Sequence, residues 1–252
     1  MRHPWAIICA AAAWAVAVAA GATEIKILTA GAFKPVVMAL VPEFERQTGH
    51  KLTVENDTAG ALVRRIGNGE AFDVVVLTPD GMAPLTGNGK VDAGTSARLA
   101  RVGIGVAVKR GAPMPDIGTV AAFQQALLAA RAVAYIDPAA GGSSGIYLAG
   151  LFEKMGIAAQ LKPKSVLVPG GLVAQRVVNG EADLALHQIS EILAVPGAAL
   201  VGPIPAEIQN YTVYVGGVST AAQDGPAAQA FLALLGSARA REVLREKGME
   251  AP

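Results

Sequence analysis

The sequence predicts an α/β fold of two similar three-layer lobes with mostly parallel sheets. Three observations lead there. Short β-branched runs alternate with helical patterns along most of the chain. One seven-residue pattern recurs 111 residues apart. Finally, 52% of the 252 residues are hydrophobic and only 16% charged, enough apolar matter for a sizeable core.

Glu24–Leu28 opens as a strand. Pro35–Thr48 follows as a helix, with Pro35 suited to a first turn, Gly49 to an end, and Val36, Leu40 and Phe44 forming the apolar stripe. Leu52–Asn56 reads as a second strand, Ala61–Gly67 as a short helix and Phe72–Leu77 as an apolar, buried strand. Further strands are expected at Arg101–Lys109, Ala132–Ile136, Ser165–Val168, Asp183–His187 and Tyr211–Ser219. Helices are expected at Thr119–Ala130, Gly145–Met155, Leu172–Val178, Pro226–Leu235 and Ala238–Lys247.

The recurring pattern is R-x-x-N-G-E-A, at Arg65 to Ala71 and again at Arg176 to Ala182. In each copy a helix ends on Asn-Gly, which tolerates a left-handed cap, and feeds a buried strand. Each copy also follows a glycine-bearing turn, Asn56 to Gly60 and Pro169 to Gly171. Solenoid repeats recur every ~20–50 residues, so a longer spacing points to a duplicated lobe.

Residues 1–22 stand apart. Arg2 and His3 precede an uncharged run from Ala6 to Ala20, and Ala20-Gly21-Ala22 supplies the small residues of a cleavage site. The run is shorter than the ~20 residues of a comfortable membrane span. It reads as a secretory signal peptide and places the mature protein in the periplasm. Cleavage removes Cys9, the chain's one cysteine, so disulfides, cysteine-ligated metals and a cysteine nucleophile are not expected. Losing Arg2 from 21 basic residues leaves 20 against 20 acidic ones. That balance lacks the basic excess of a nucleic-acid binder, and the sparse charge does not suit a membrane surface.

Open α/β sheets bind ligands beyond the carboxyl ends of their strands, beside helix N-termini. The strongest such segment is Asp137 to Gly145, which carries Gly141, Gly142, Ser143, Ser144 and Gly145 from a strand into a helix. Free first-turn amides, two hydroxyls and the positive helix end suit an anion there. The same residues would equally serve as a linker capping a helix through Ser144. The matching segment is Gly31-Ala32-Phe33-Lys34. Lys34 is either a cation for the ligand or a solvated lysine, and Phe33 either walls the cleft or sits in the core. Thr58, next to Ala59, is an N-cap or a donor to ligand. Gly170, Gly171 and Gln188 complete the set. His187 ends a buried strand facing the cleft and is a general acid/base candidate or a hydrogen-bonded wall residue. No zinc-ligand spacing and no G-x-S-x-G occurs, so neither a metal nor a cofactor is expected.

At these residues a resemblance becomes clear. Residues 24–252 are similar to the type II periplasmic solute-binding proteins of the molybdate-binding-protein-like branch, which also includes aconitate isomerase-like proteins. The segments that carry it are Phe44 to Gly49, Ala59 to Ile66, Phe72 to Val76, Ser144 to Tyr147 and the closing helices, in that order and spacing. The resemblance implies two lobes joined by two crossing strands, Arg101–Lys109 and Tyr211–Ser219. Residues 24–105 with 214–252 would form one lobe and 106–213 the other. It further implies a monomer that closes on a small anionic solute and delivers it to the membrane subunit of an ABC importer. Molybdate binders of the branch have a serine in each of the first two loops and a tyrosine after the second-lobe strand. Here those places hold Ala32-Phe33, Thr58 and Gln188, which favours an organic di- or tricarboxylate over a tetrahedral oxyanion. For an isomerase, His187 is the candidate base.

Overall fold

The computed structural model describes residues 23–252, so the expected leader lies outside the described residues. In chain order the structure begins β1 (Glu24–Ala30), α1 (Lys34–Thr48), β2 (Lys51–Asp57), α2 (Ala59–Gly67), β3 (Val74–Leu77), α3 (Pro79–Gly87) and β4 (Ala97–Val102). It continues β5 (Ile104–Lys109), α4 (Val120–Ala129), β6 (Val133–Ile136), α5 (Ser143–Lys154), α6 (Ala158–Leu161), β7 (Ser165–Val168), α7 (Gln175–Val178), β8 (Leu184–Gln188), α8 (Ile189–Leu193) and β9 (Ala198–Pro203). It closes with β10 (Thr212–Val218), α9 (Gly225–Leu235) and α10 (Ala238–Glu246).

Two five-stranded sheets result, ordered β2-β1-β3-β10-β4 and β7-β6-β8-β5-β9. In each, three strands run parallel, and the fourth and fifth positions are filled antiparallel to their neighbours. The sheets are therefore mixed, each with a parallel half, and the order of one repeats that of the other. Each is covered on both faces, as near-continuous apolar strands such as Val74–Leu77 require. One face of the first sheet packs Ile25, Ile27, Phe44 and Phe231 beneath α1, α9 and α10. The other packs Leu28, Leu62, Leu77 and Met82 beneath α2 and α3. The second sheet places Val106, Phe123 and Phe152 on one side, and Ala107, Ala134 and Val173 on the other.

The recurring heptapeptide builds the same device twice. The helix ends, Gly69 (φ 97°) or Gly180 (φ 78°) takes the left-handed turn, and the arginine of each copy meets its glutamate. Arg65 Nε donates to Glu70 at 2.6 Å, and Arg176 donates to Glu181 at 2.8 Å. The conformation falls on glycine because an L side chain is disfavoured at positive φ.

Two expectations need correction. Arg101–Lys109 is two strands in two different sheets, β4 and β5, broken at Gly103. A Cβ on Gly103 would lie 3.1 Å from the Gln209 amide, and that amide occupies the backbone of the break. Gln209 Oε1 accepts from the Ile104 N–H at 2.8 Å, and Gln209 Nε2 donates to the Ile104 carbonyl at 2.9 Å. The chain returns between β9 and β10 through residues 204–211, so the strand expected at Tyr211–Ser219 belongs wholly to the first sheet. Gln209 thus ties both crossings together. The helices α3, α6 and α8 and the strand β9 are additions to the sequence reading.

Candidate functional site

The carboxyl ends of β1, β2, β6 and β8 face a cavity between the two sheets, and the helices that follow start at its wall. Its lining includes Gly31, Ala32, Thr58, Ala59, Ser143 and Ser144, together with Gly171, His187, Gln188, Glu191 and Tyr214. The enclosed volume is about 40 Å³. Through Ala59, Thr78 and Ser143 it adjoins a groove of about 660 Å³ bounded by Val63, Pro79, Ile146, Tyr147 and Tyr211.

Local sequence explains each wall. Thr58 caps α2, its Oγ1 accepting from the Ala61 N–H at 3.1 Å, while the same hydroxyl donates to the Ala140 carbonyl at 2.6 Å. Next to it the Gly60 N–H donates to the Gly141 carbonyl at 3.1 Å. The two glycines approach so closely that a Cβ on Gly60 would lie 3.0 Å from Gly141 Cα. Ser190 Oγ donates to the Ala32 carbonyl at 2.8 Å, a third contact across the cleft. Gln188 Nε2 donates to Thr212 Oγ1 at 2.8 Å and to Ser143 Oγ at 3.3 Å. The two sheets are therefore closed upon one another around the cavity.

The chemistry of the lining is unusual for its lack of cations: among the described residues, no lysine or arginine lines the cavity. What it does hold is a buried pair. His187 Nε2 lies 3.1 Å from Glu191 Oε2, both residues being under a tenth exposed. Burial pushes the Glu191 carboxyl up and the His187 imidazole down. Both shifts favour the uncharged forms. The Tyr214 phenol is buried beside them and is raised too, first by burial and then by Glu191. Among the described residues, two buried side-chain polar atoms have no partner, His187 Nδ1 and Gln188 Oε1.

The chain matches the sequence model of the bacterial extracellular solute-binding proteins over residues 25–250. It belongs to that family. Among its relatives is the aconitate isomerase of Pseudomonas sp, 34% identical over 234 residues that span 90% of this chain and 88% of the relative. The molybdate-binding protein ModA of Azotobacter vinelandii is 26% identical over 250 residues, covering 96% of each chain. The solved structure of the Azotobacter vinelandii periplasmic molybdate-binding protein superposes with a TM-score of 0.74 at 21% identity, over 91% of this chain and all of the other. The bilobed type II architecture, with its cleft between mixed sheets, is thereby shown.

Within this solute-binding fold, the residues singled out from sequence divide. Gly31, Ala32, Thr58, Ala59, Ser143, Ser144, Gly171, His187 and Gln188 meet at the cavity. Phe33 does not: it is fully buried in the first core, its ring centroid 6.1 Å from that of Tyr214. Lys34 does not either. Its Nζ donates to Asn56 Oδ1 at 2.8 Å, and it lines a separate outer pocket behind Gly31. Gly145 is a packing residue, since a Cβ there would lie 2.2 Å from the Ile136 carbonyl oxygen. Gly170 is outside the cavity, 3.9 Å in Cβ terms from Asp57 Oδ1. The α5 cap is Gly142, with Ser144 buried in the first turn, so Ser144 does not cap that helix through its side chain. The second histidine, His50, is half-buried and stacks on Phe44 away from the cavity.

Sequence reasoning missed Glu191, Tyr214 and Thr78. Glu191 sits in Ile-Ser-Glu-Ile, where a carboxylate usually marks a solvated helix face. Its signal was the spacing of four from His187, which joins the strand end to the next helix.

Proposed function

We propose that this chain is a periplasmic solute-binding protein that closes its cleft on a small organic anion, a di- or tricarboxylate, and presents it to an ABC importer as a monomer. One observation carries the reading. The first turn of α5 and the turn Gly31–Phe33 leading into α1 start at one cavity that, among the described residues, no lysine or arginine lines; at α2 the Gly60 and Ala61 N–H groups are already taken by Gly141 and Thr58, which leaves Ala59. Helix starts offer unpaired amides and a partial positive charge, which hold an anion without a counter-charge. Protonatable groups in the wall, Glu191 and His187, suit a carboxylate, which takes hydrogen bonds from neutral donors. The export step rests on the leader-like residues 1–22 and on the family's extracellular character.

Thermal unfolding with a panel of carboxylates and oxyanions tests it. A ligand at 100 times its dissociation constant adds about 2.7 kcal/mol to stability. Stabilisation by molybdate or tungstate alone would overturn the carboxylate assignment.

A second reading is favoured by a specific pair of findings. The 34% identical relative is an aconitate isomerase, and His187 with Glu191 places an acid/base pair at the cavity wall. On that reading the chain interconverts trans- and cis-aconitate, with His187 moving the proton. Incubation with trans-aconitate and detection of the cis isomer decides the matter; full turnover in His187→Ala removes His187 from the role.

A further inference from the structure

The His187–Glu191 pair poses a question of proton inventory. One ring nitrogen, Nε2, is taken by Glu191 at 3.1 Å. The other, Nδ1, is buried without a partner in a residue that lines the cavity. A neutral imidazole carries hydrogen on one nitrogen only, and the hydrogen bond at one nitrogen decides which. Gly31 leaves room beside Glu191: a Cβ there would lie 2.6 Å from its Oε1.

Resting on the reading that the cleft holds a carboxylate, we propose that Glu191 is a positioning residue whose carboxyl donates its proton to His187 Nε2. This fixes the tautomer with hydrogen on Nδ1 and makes that N–H the donor offered to the ligand. The burial that raises Glu191 and lowers His187 acts in the same direction. The surrounding groups agree. The Tyr214 phenol is neutral beside the pair, and Asp57, the other acid of the lining, lies 3.7 Å from the Arg65 guanidinium. Lys34, which shares the outer pocket with Glu191, is hydrogen-bonded to Asn56. An anion so bound meets an N–H rather than a lone pair or a carboxylate.

The pair also carries a balanced proton transfer once the resting form has lost one proton to water, leaving Glu191 ionised and hydrogen on Nε2. A ligand C–H bond then breaks as its proton passes to Nδ1, the electron pair stays on the carbon and its conjugated carboxylate, and the Nε2 proton moves to Glu191. Return of the Nδ1 proton to another carbon forms the new C–H bond, while the Glu191 proton moves back to Nε2 and restores the starting form.

Nitrogen-15 labelling of histidine tests the assignment without a ligand. The sequence has three histidines, His3, His50 and His187, and His3 lies in the leader. The variant His50→Gln therefore identifies the His187 signals in the processed chain. At pH 7 the expected spectrum shows a protonated Nδ1 and an acceptor Nε2. Glu191→Gln, whose amide also donates to Nε2, retains this pattern and retains binding, but slows any turnover of trans-aconitate at least a hundredfold. Glu191→Leu, which removes the donor, loses the tautomer. A wild-type spectrum with hydrogen on Nε2, or with both nitrogens protonated, overturns the proposal. If the tautomer is as expected and neither trans-aconitate nor citrate moves the Nδ1 signal or raises the melting temperature, the pairing stands and the carboxylate reading falls.

Discussion

Replacing Gly60 by alanine separates closure of the cleft from folding. Gly60 lies in the first turn of α2, where alanine is intrinsically the better helix former by about 0.5–1 kcal/mol. Across the cleft, however, the added methyl would meet Gly141 Cα at 3.0 Å and the Gly141 carbonyl oxygen at 3.1 Å. Backbone cannot yield as a flexible side chain does, so the lobes must part at this point. Parting breaks the Gly60–Gly141 hydrogen bond of 3.1 Å and strains the Thr58–Ala140 bond of 2.6 Å. At about 1 kcal/mol net for each bond, the closed form loses about 2 kcal/mol. Each 1.4 kcal/mol is tenfold, so ligand affinity falls roughly 30-fold. Calorimetric titration with the carboxylate that best stabilises the wild type reads the affinity, small-angle scattering reads the separation of the lobes, and thermal unfolding reads stability. The expected combination is weaker binding, a larger radius of gyration and an unchanged or slightly raised melting temperature. Unchanged affinity with unchanged scattering would refute the reasoning, because the clash would then have been absorbed within one lobe.

Other expectations follow from the same geometry. Gly145→Ala forces a methyl to 2.2 Å from the Ile136 carbonyl; it should lower stability by about 1–3 kcal/mol, seen as a lower melting temperature without ligand. Glu70 is drawn down to about 2, first by Arg65 and then by Lys26, so its contribution is present above the ordinary carboxylate range and is lost as pH falls from about 4.5 towards 2. Urea titrations should therefore show Arg65→Ala to be less steeply acid-sensitive than the wild type. Glu191 is raised in the folded state, so the stability linked to it is complete below the ordinary carboxylate range and declines as pH rises above it. Glu191→Gln should flatten that alkaline decline in melting temperature, and an identical profile in both proteins would count against a protonated Glu191. Gln209→Ala should cost about 1–3 kcal/mol, because the Ile104 N–H loses the Gln209 acceptor while the Ile104 carbonyl keeps only the Ile204 N–H at 3.1 Å; chemical denaturation measures this.

Much of the architecture was legible because periodicity survives in short segments. The runs Ile25–Leu28 and Val74–Leu77 read as strands, and the doubled R-x-x-N-G-E-A returned as two similar turn-and-ion-pair devices. The helix α3 was not legible because Pro79, Gly81 and Pro84 read as loop; only Thr78, which accepts from the Gly81 N–H as an N-cap, marked its start. The break between β4 and β5 was hidden because Gly103 sits in an alternating run in which Val102, Ile104, Val106 and Val108 are β-branched. What interrupts it is Gln209, more than a hundred residues later. At the cavity, helix-start residues were readable from their types and positions. Lys34 was misplaced because charge in a loop says nothing of which pocket the side chain enters. Glu191 was invisible for the opposite reason: only three-dimensional burial makes a helical glutamate into a neutral acid.

The order of the strands has a consequence for how the polypeptide assembles as it is made from its N-terminus. The sheet β7-β6-β8-β5-β9 uses one uninterrupted stretch, from Ile104 to Pro203, so it is free to consolidate as soon as that stretch is made. Its counterpart lacks its fourth strand until Thr212–Val218 arrives to slot between β3 and β4. The earliest-made portion must therefore wait, half-finished and with two raw strand edges, for one of the last portions to be made.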